Sequence, residues 1–162
     1  MERNFAVTVT RSESNWQVRR FSEDSTNIET AIKAVRGLRA ESAAFALLCV
    51  DDEYFVIVRP TPSRVRLFLS DASMAAVDDF AASLLEEMDI DIPDIPEEDF
   101  ADTEGWPDGD FDILADLGIS EQVLSILCDE SEWWASEQLQ SLCEELGCEE
   151  EFSRAVGMDI SE

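Results

Sequence analysis

Few residues here are of a type and spacing that could do chemistry. Trp133 and Trp134 stand side by side among Glu130, Ser131, Glu132 and Glu137, and Asp51, Asp52 and Glu53 sit in a row between two apolar runs. Adjacent aromatics with acidic neighbours have the composition of a protein-interface anchor. They also suit a structural staple that fastens a helix to a core, and both roles stay open. Asp51, Asp52, Glu53, Trp133 and Trp134 are therefore the candidate partner-binding residues. No catalytic residue is expected. The chain has no histidine, so it has no Ser–His or Cys–His pair, no imidazole base and no imidazole ligand. Carboxylate pairs can still move protons when one is buried or crowded. With 38 acids in 162 residues, however, adjacent pairs arise by chance and mark no site. The reading is that the chain is not an enzyme.

Metal and cofactor chemistry finds little support. Asp108, Asp110 and Asp112 alternate around Gly109 like the opening of a calcium loop. The sixth position is Ile113 instead of glycine and the twelfth is Ile119 instead of glutamate, so a solvated approach to a helix is expected. Cys143 and Cys148 lie five apart with Cys128 a helix away, whereas zinc sites want closer pairs or histidines. With Cys49 in an apolar run, all four are read as buried thiols. Arg59, Arg64 and Arg66 are the one basic cluster near the strands. They could hold an anion, but acids so outnumber them that pairing within the molecule is expected. No cofactor and no metal are assigned.

The elements that would position these residues can be read from periodicity. Phe5, Val7 and Val9 alternate with smaller or polar residues as in a half-buried strand, and Trp16, Val18 and Arg20 continue a second one. Thr26 followed by Glu29 has a capping-box pattern, opening a helix with Ile28, Ile32 and Val35 on one face and Gly37 as its stop. Residues 45–50 and 54–58 are apolar on both faces and predict a hairpin covered on two sides. Residues 64–70 form a further strand, with Val65, Leu67 and Leu69 on one face and Arg64, Arg66 and Phe68 on the other. A helix is expected from about Ser73, with Val77, Phe80, Ala81, Leu84 and Met88 as its stripe. The fold class is α+β: a five-stranded antiparallel sheet in the order ββαβββα, with a helix on each face, resembling roadblock/longin-like domains in element order. Residues 1–88 make this sheet domain. Residues 89–109, with three of the five prolines, read as an acidic linker, and residues 110–162 as an acidic helical region whose short helices need a surface to cover.

Charge divides the chain as well, though earlier, at residue 66. Residues 1–66 hold ten basic and nine acidic groups, a net +1, while residues 67–162 hold Arg154 against twenty-nine acids, a net −28. A polyanion repels phosphate backbones and anionic lipids, so direct nucleic-acid or membrane binding is not expected. The opening residues lack the apolar run of a secretion signal, and a cytoplasmic location with reduced thiols is the expectation.

Segments FALLCVDDEYFVIVR (45–59), RVRLFLSD (64–71), DFDILADLG (110–118) and FSRAV (152–156) resemble, in order and rough spacing, those of the tRNA adenosine deaminase-associated protein family. The resemblance implies a protein partner, a tRNA-editing deaminase. The chain is not that deaminase, because it lacks the zinc signature of H-x-E with P-C-x-x-C. The function expected is a non-catalytic accessory protein that docks its acidic part on a basic protein surface. The alternative is a regulatory or scaffold homodimer of roadblock/longin-like type, with residues 45–50 at its interface.

Overall fold

In the computed structural model, residues 4–12, 15–22, 26–38, 43–100, 102, 105–129 and 133–157 are described. The apolar alternation of Phe5–Ser12 makes β1, which pairs antiparallel with β2, Asn15–Ser22. The two apolar runs form β3, Ala44–Val50, and β4, Tyr54–Pro60, and β5 follows at Val65–Leu69. The strand count exceeds expectation by one. Asp108–Gly109, at the end of the supposed linker, is a two-residue β6 that pairs with β5, so the sheet order is β2-β1-β3-β4-β5-β6.

The helical layers also differ from expectation. Helix α1, Ile28–Gly37, and helix α2, Asp79–Glu87, lie on the same face of the sheet. There they cover Ala46, Leu48, Val56, Val58, Leu67 and Leu69 with Ala31, Val35, Leu84 and Leu85. After a four-residue α3, Glu97–Phe100, the acidic region supplies α4, Glu121–Cys128, α5, Ala135–Leu146, and α6, Glu149–Val156. These cover the other face, where Phe5, Phe45, Leu47, Phe55, Ile57 and Phe68 meet Ile113, Leu124, Leu139, Leu142 and Phe152. The Phe5 and Phe152 rings meet edge to face at 5.7 Å, a favoured aromatic geometry. The short acidic helices thus find their surface on the sheet, and the packing runs across the compositional divisions at 88 and 109. The strand expected at a homodimer interface, residues 45–50, is instead β3, flanked by β1 and β4 and buried on both faces.

Local signals shifted by a few residues. The cap of α1 is Asn27, whose side chain accepts the Thr30 N–H at 3.1 Å, in place of Thr26. The helix expected from Ser73 divides into a 3-10 turn, Ala72–Ala76, and α2, whose cap Asp78 accepts the Phe80 N–H. Val77 falls at the break and is 53% exposed, so it leaves the apolar stripe. Asp78 also accepts a hydrogen bond from the hydroxyl of buried Tyr54. Burial first, and then this carboxylate, push the phenol far above its usual range.

Gly109 makes β6 possible. Its φ is +119°, and a Cβ there would stand 2.7 Å from the Leu67 carbonyl oxygen and 2.9 Å from the Phe68 Cα. Gly109→Ala is expected to cost about 1–3 kcal/mol through this clash and strain, lowering Tm by several degrees. Gly37→Ala adds a Cβ with nothing within 4 Å and should leave Tm level or raise it, since alanine gains roughly 0.5–1 kcal/mol over glycine in a helix. Equal melting of the two variants would contradict the tight β5–β6 seam.

Candidate protein-binding surface

Asp51, Asp52 and Glu53 close the β3–β4 hairpin. Asp51 and Asp52 have φ of 52° and 56°, the left-handed pair favoured in tight hairpins. Aspartate tolerates this region because its short side chain can hydrogen-bond locally. Asp51 exchanges hydrogen bonds with Asn4: its N–H donates to Asn4 Oδ1 at 2.9 Å and its carboxylate accepts from Asn4 Nδ2 at 3.0 Å.

Asp52 is only 3% exposed, so its side chain is absent from the outer surface. Its carboxylate accepts the Ser136 N–H at 2.7 Å and its carbonyl accepts the Ala135 N–H at 3.1 Å. Both donors open α5, where a helix leaves its first N–H groups without partners and favours negative charge. The expectation that Asp52 faces a partner is therefore corrected: it fastens α5 to the hairpin.

This fastening brings together two groups 80 residues apart in sequence. Trp134 N–H donates to Glu137 Oε1 at 2.9 Å, fixing the approach to α5. Trp133 and Trp134 are 42% and 50% exposed beside it. Trp133 and exposed Glu53 line one depression of about 130 Å³ with Asp71, Cys128 and Gln138. Of the five sequence candidates, Glu53, Trp133 and Trp134 thus remain at the surface, Asp51 is half-buried and Asp52 is internal. Burial pushes the nearby Cys128 thiol up to about 12, with Asp129 and Asp71 adding to it. At neutral pH this thiol holds its proton and is a poor nucleophile.

The basic cluster pairs within the molecule for two of its three members. Arg59 grips Asp116 with both guanidinium nitrogens, at 2.6 and 2.8 Å, and donates to the Ile113 carbonyl at 2.7 Å. Arg66 binds Asp110 at 3.3 Å and also Asp112. Two carboxylates of the calcium-like run are thereby engaged by an arginine. Arg64 is exposed and lines a groove beside β5.

Sequence reasoning missed two surface features. Ile126, 62% exposed on α4, lies with Phe111 and Glu121 in a shallow hollow. Its only signal is a position off the stripe of Leu124 and Leu127. The second feature is the carboxylate crowding where α5 meets α6. Partial burial first, and then Glu144 and Glu150, hold the Glu149 carboxyl above its usual range.

Two measurements check these assignments. Asp52→Ala should cost about 1–2 kcal/mol, the usual loss of a helix-capping side chain. Asp52→Asn, which keeps an acceptor, should lose much less. Equal losses would remove the capping role. For Asp116, the hydrogen bond from Arg59 holds the carboxyl below its ordinary range. A depressed carboxyl adds stability above its unfolded pKa of about 3.9 and loses it as pH falls through the folded value. The Asp116 side chain is 57% exposed. Asp116→Asn should therefore cost no more than about 1 kcal/mol near neutral pH. In urea melts the difference from the parent chain should narrow progressively as pH falls below about 3.9.

Among the described residues, no helix is long and apolar enough to cross a membrane. No solved structure matches the chain. Protein Rv3753c of Mycobacterium tuberculosis is 39% identical over 153 residues, covering 94% of this chain and 87% of that protein. With the profile of that family matching residues 4–149 as well, the chain belongs to the Rv3753c-like tRNA adenosine deaminase-associated proteins.

Proposed function

We propose that this chain is a non-catalytic accessory protein of the cytoplasm that docks on a tRNA adenosine deaminase through an acidic face and does not itself contact nucleic acid. Family membership supports the association, since the family is described as deaminase-associated. The observation that carries the docking face is the crowding of Glu144, Glu145, Glu149 and Glu150 across the α5–α6 junction. Three of these are exposed, and the Glu149 carboxyl is raised partly by two of its neighbours. An enzyme that holds tRNA must present cationic surface to the phosphates. An anionic face complements such a surface, accelerates encounter and competes with RNA for it.

The test mixes the purified chain with the deaminase of the same cell in a calorimeter at low and moderate salt, about 50 and about 200 mM, across which surface charges become strongly screened. A complex that weakens markedly with salt is expected. Replacing Glu144, Glu145, Glu149 and Glu150 by glutamine should weaken it about ten-fold, because each exposed pair contributes under about 1 kcal/mol. Deleting residues 110–162 is not a usable control, because those residues form half of one core. Absence of a complex at low salt, or an affinity indifferent to both salt and the glutamines, overturns the reading.

A further inference from the structure

The sheet is only partly closed at β5. Phe68 and Leu69 lie opposite Gly109 and Asp108 of β6, and the Asp110 N–H reaches the Leu67 carbonyl at 2.9 Å. Ahead of Leu67, no strand among the described residues pairs with this edge. The backbone there alternates in direction. Arg64 turns inward toward the end of β4: its N–H donates to Thr61 Oγ1 and its carbonyl accepts the Thr61 N–H. Successive residues of a strand point their amides to opposite sides. The Val65 N–H and carbonyl therefore point outward, as the Leu67 carbonyl does. The opposite edge of the sheet, β2, carries exposed Arg19 and Arg20, charges of the kind that blunt strand pairing.

Beside this open half-edge runs a groove of about 460 Å³ between α1, β5 and the end of α2. Ile28, Ile32, Val65 and Met88 give it apolar walls, and Glu29 and Glu87 stand at its rim. Asp110 also lines it but is held by Arg66, and Arg64 is the one basic group on the lining. An outward N–H and carbonyl at Val65, beside a mixed groove with an apolar side and a charged rim, are the groups that an extended peptide takes up by strand addition.

We propose that the open half of β5 receives an extended segment of a protein partner, with one apolar side chain seated in the groove. A lysine or arginine two residues along, on the same face, reaches Glu29 or Glu87, since side chains on one face of a strand repeat every second residue. The chain's own β6 shows that this edge accepts an added strand, and the new segment would continue that pairing toward Val65. The inference deepens the docking reading by adding a contact distant in kind from the acidic α5–α6 face, and it rests on that reading only for which protein supplies the segment.

The test uses two synthetic peptides, one alternating lysine with valine and one alternating glutamate with valine, titrated into the labelled full chain at about 150 mM salt, where long-range attraction is screened. With the lysine peptide, the amide resonances of Val65 and Leu67 should shift saturably and the Val65 amide should exchange more slowly. The glutamate peptide should bind at least several-fold more weakly. Val65→Pro removes the outward N–H, and proline is tolerated on an edge strand, so groove shifts should disappear while the rest of the spectrum persists. Should that variant fail to fold, the pair Glu29→Gln and Glu87→Gln should still weaken the lysine peptide several-fold. Shifts confined to the α5–α6 face, equal binding of the two peptides, or undiminished groove shifts in the substituted chains overturn the inference. The deaminase titration reports on the acidic face separately, so either reading can fail without the other.

Discussion

The fold depends on the two-sided burial of the β3–β4 hairpin. Every residue from Phe45 to Val58 outside the turn is buried, and the two faces belong to two separate cores. A sheet apolar on both faces must be covered by two layers. Helices α1 and α2 together cover only one of them, so the acidic half of the chain is structurally obliged to cover the other. Magnitudes explain why its charge does not prevent this. Each leucine that α5 buries is worth roughly 1.5–3 kcal/mol. Two carboxylates about 8 Å apart in water repel by only about 0.5 kcal/mol before salt screens them. Burial wins while the acids remain on the outer surface.

The hairpin turn organises both layers from one end. Asp52 points to one side and receives the first N–H groups of α5, whereas Tyr54 points to the other and donates to Asp78, the cap of α2. Two residues separated by one position thus hold the starts of two helices on opposite faces, which strand alternation alone would forbid; Asp52 escapes it because it lies in the turn, with φ of 56°. Further polar ties complete the α4–α6 layer: buried Gln138 donates to the Leu127 carbonyl and buried Gln140 to Ser153 Oγ. Such bonds satisfy groups whose isolated burial would be costly and set the helices in register along the sheet.

Much of this was legible because the relevant signals are local. Alternation marked β1 and the β5 faces, and two apolar runs around an acidic turn marked the β3–β4 hairpin. The β5–β6 pairing was not legible, because a two-residue strand has no periodicity to detect. Its one mark is a glycine, which also suits a linker. The placement of α1 and α2 on one face was hidden for a different reason. An amphipathic stripe says that a helix is covered on one side but not which face of the sheet covers it. Asp52 was misread because a carboxylate in a polar turn looks solvated. Its burial follows from a helix terminus more than eighty residues away, and no local window contains that partner.

The same geometry changes what the net charge of −27 means for recognition. Asp52 and Asp78 cap helices, while Asp110, Asp112 and Asp116 neutralise Arg66 and Arg59. These acids are engaged within the molecule, and the two arginines they neutralise are drawn from the nearly neutral half of the chain. What a partner meets is the remainder, carried on the outer sides of α5 and α6 and on the segment after α2. Charge that looks like one long tail in the sequence is therefore presented as separate patches, because the helices that carry it are packed on the sheet.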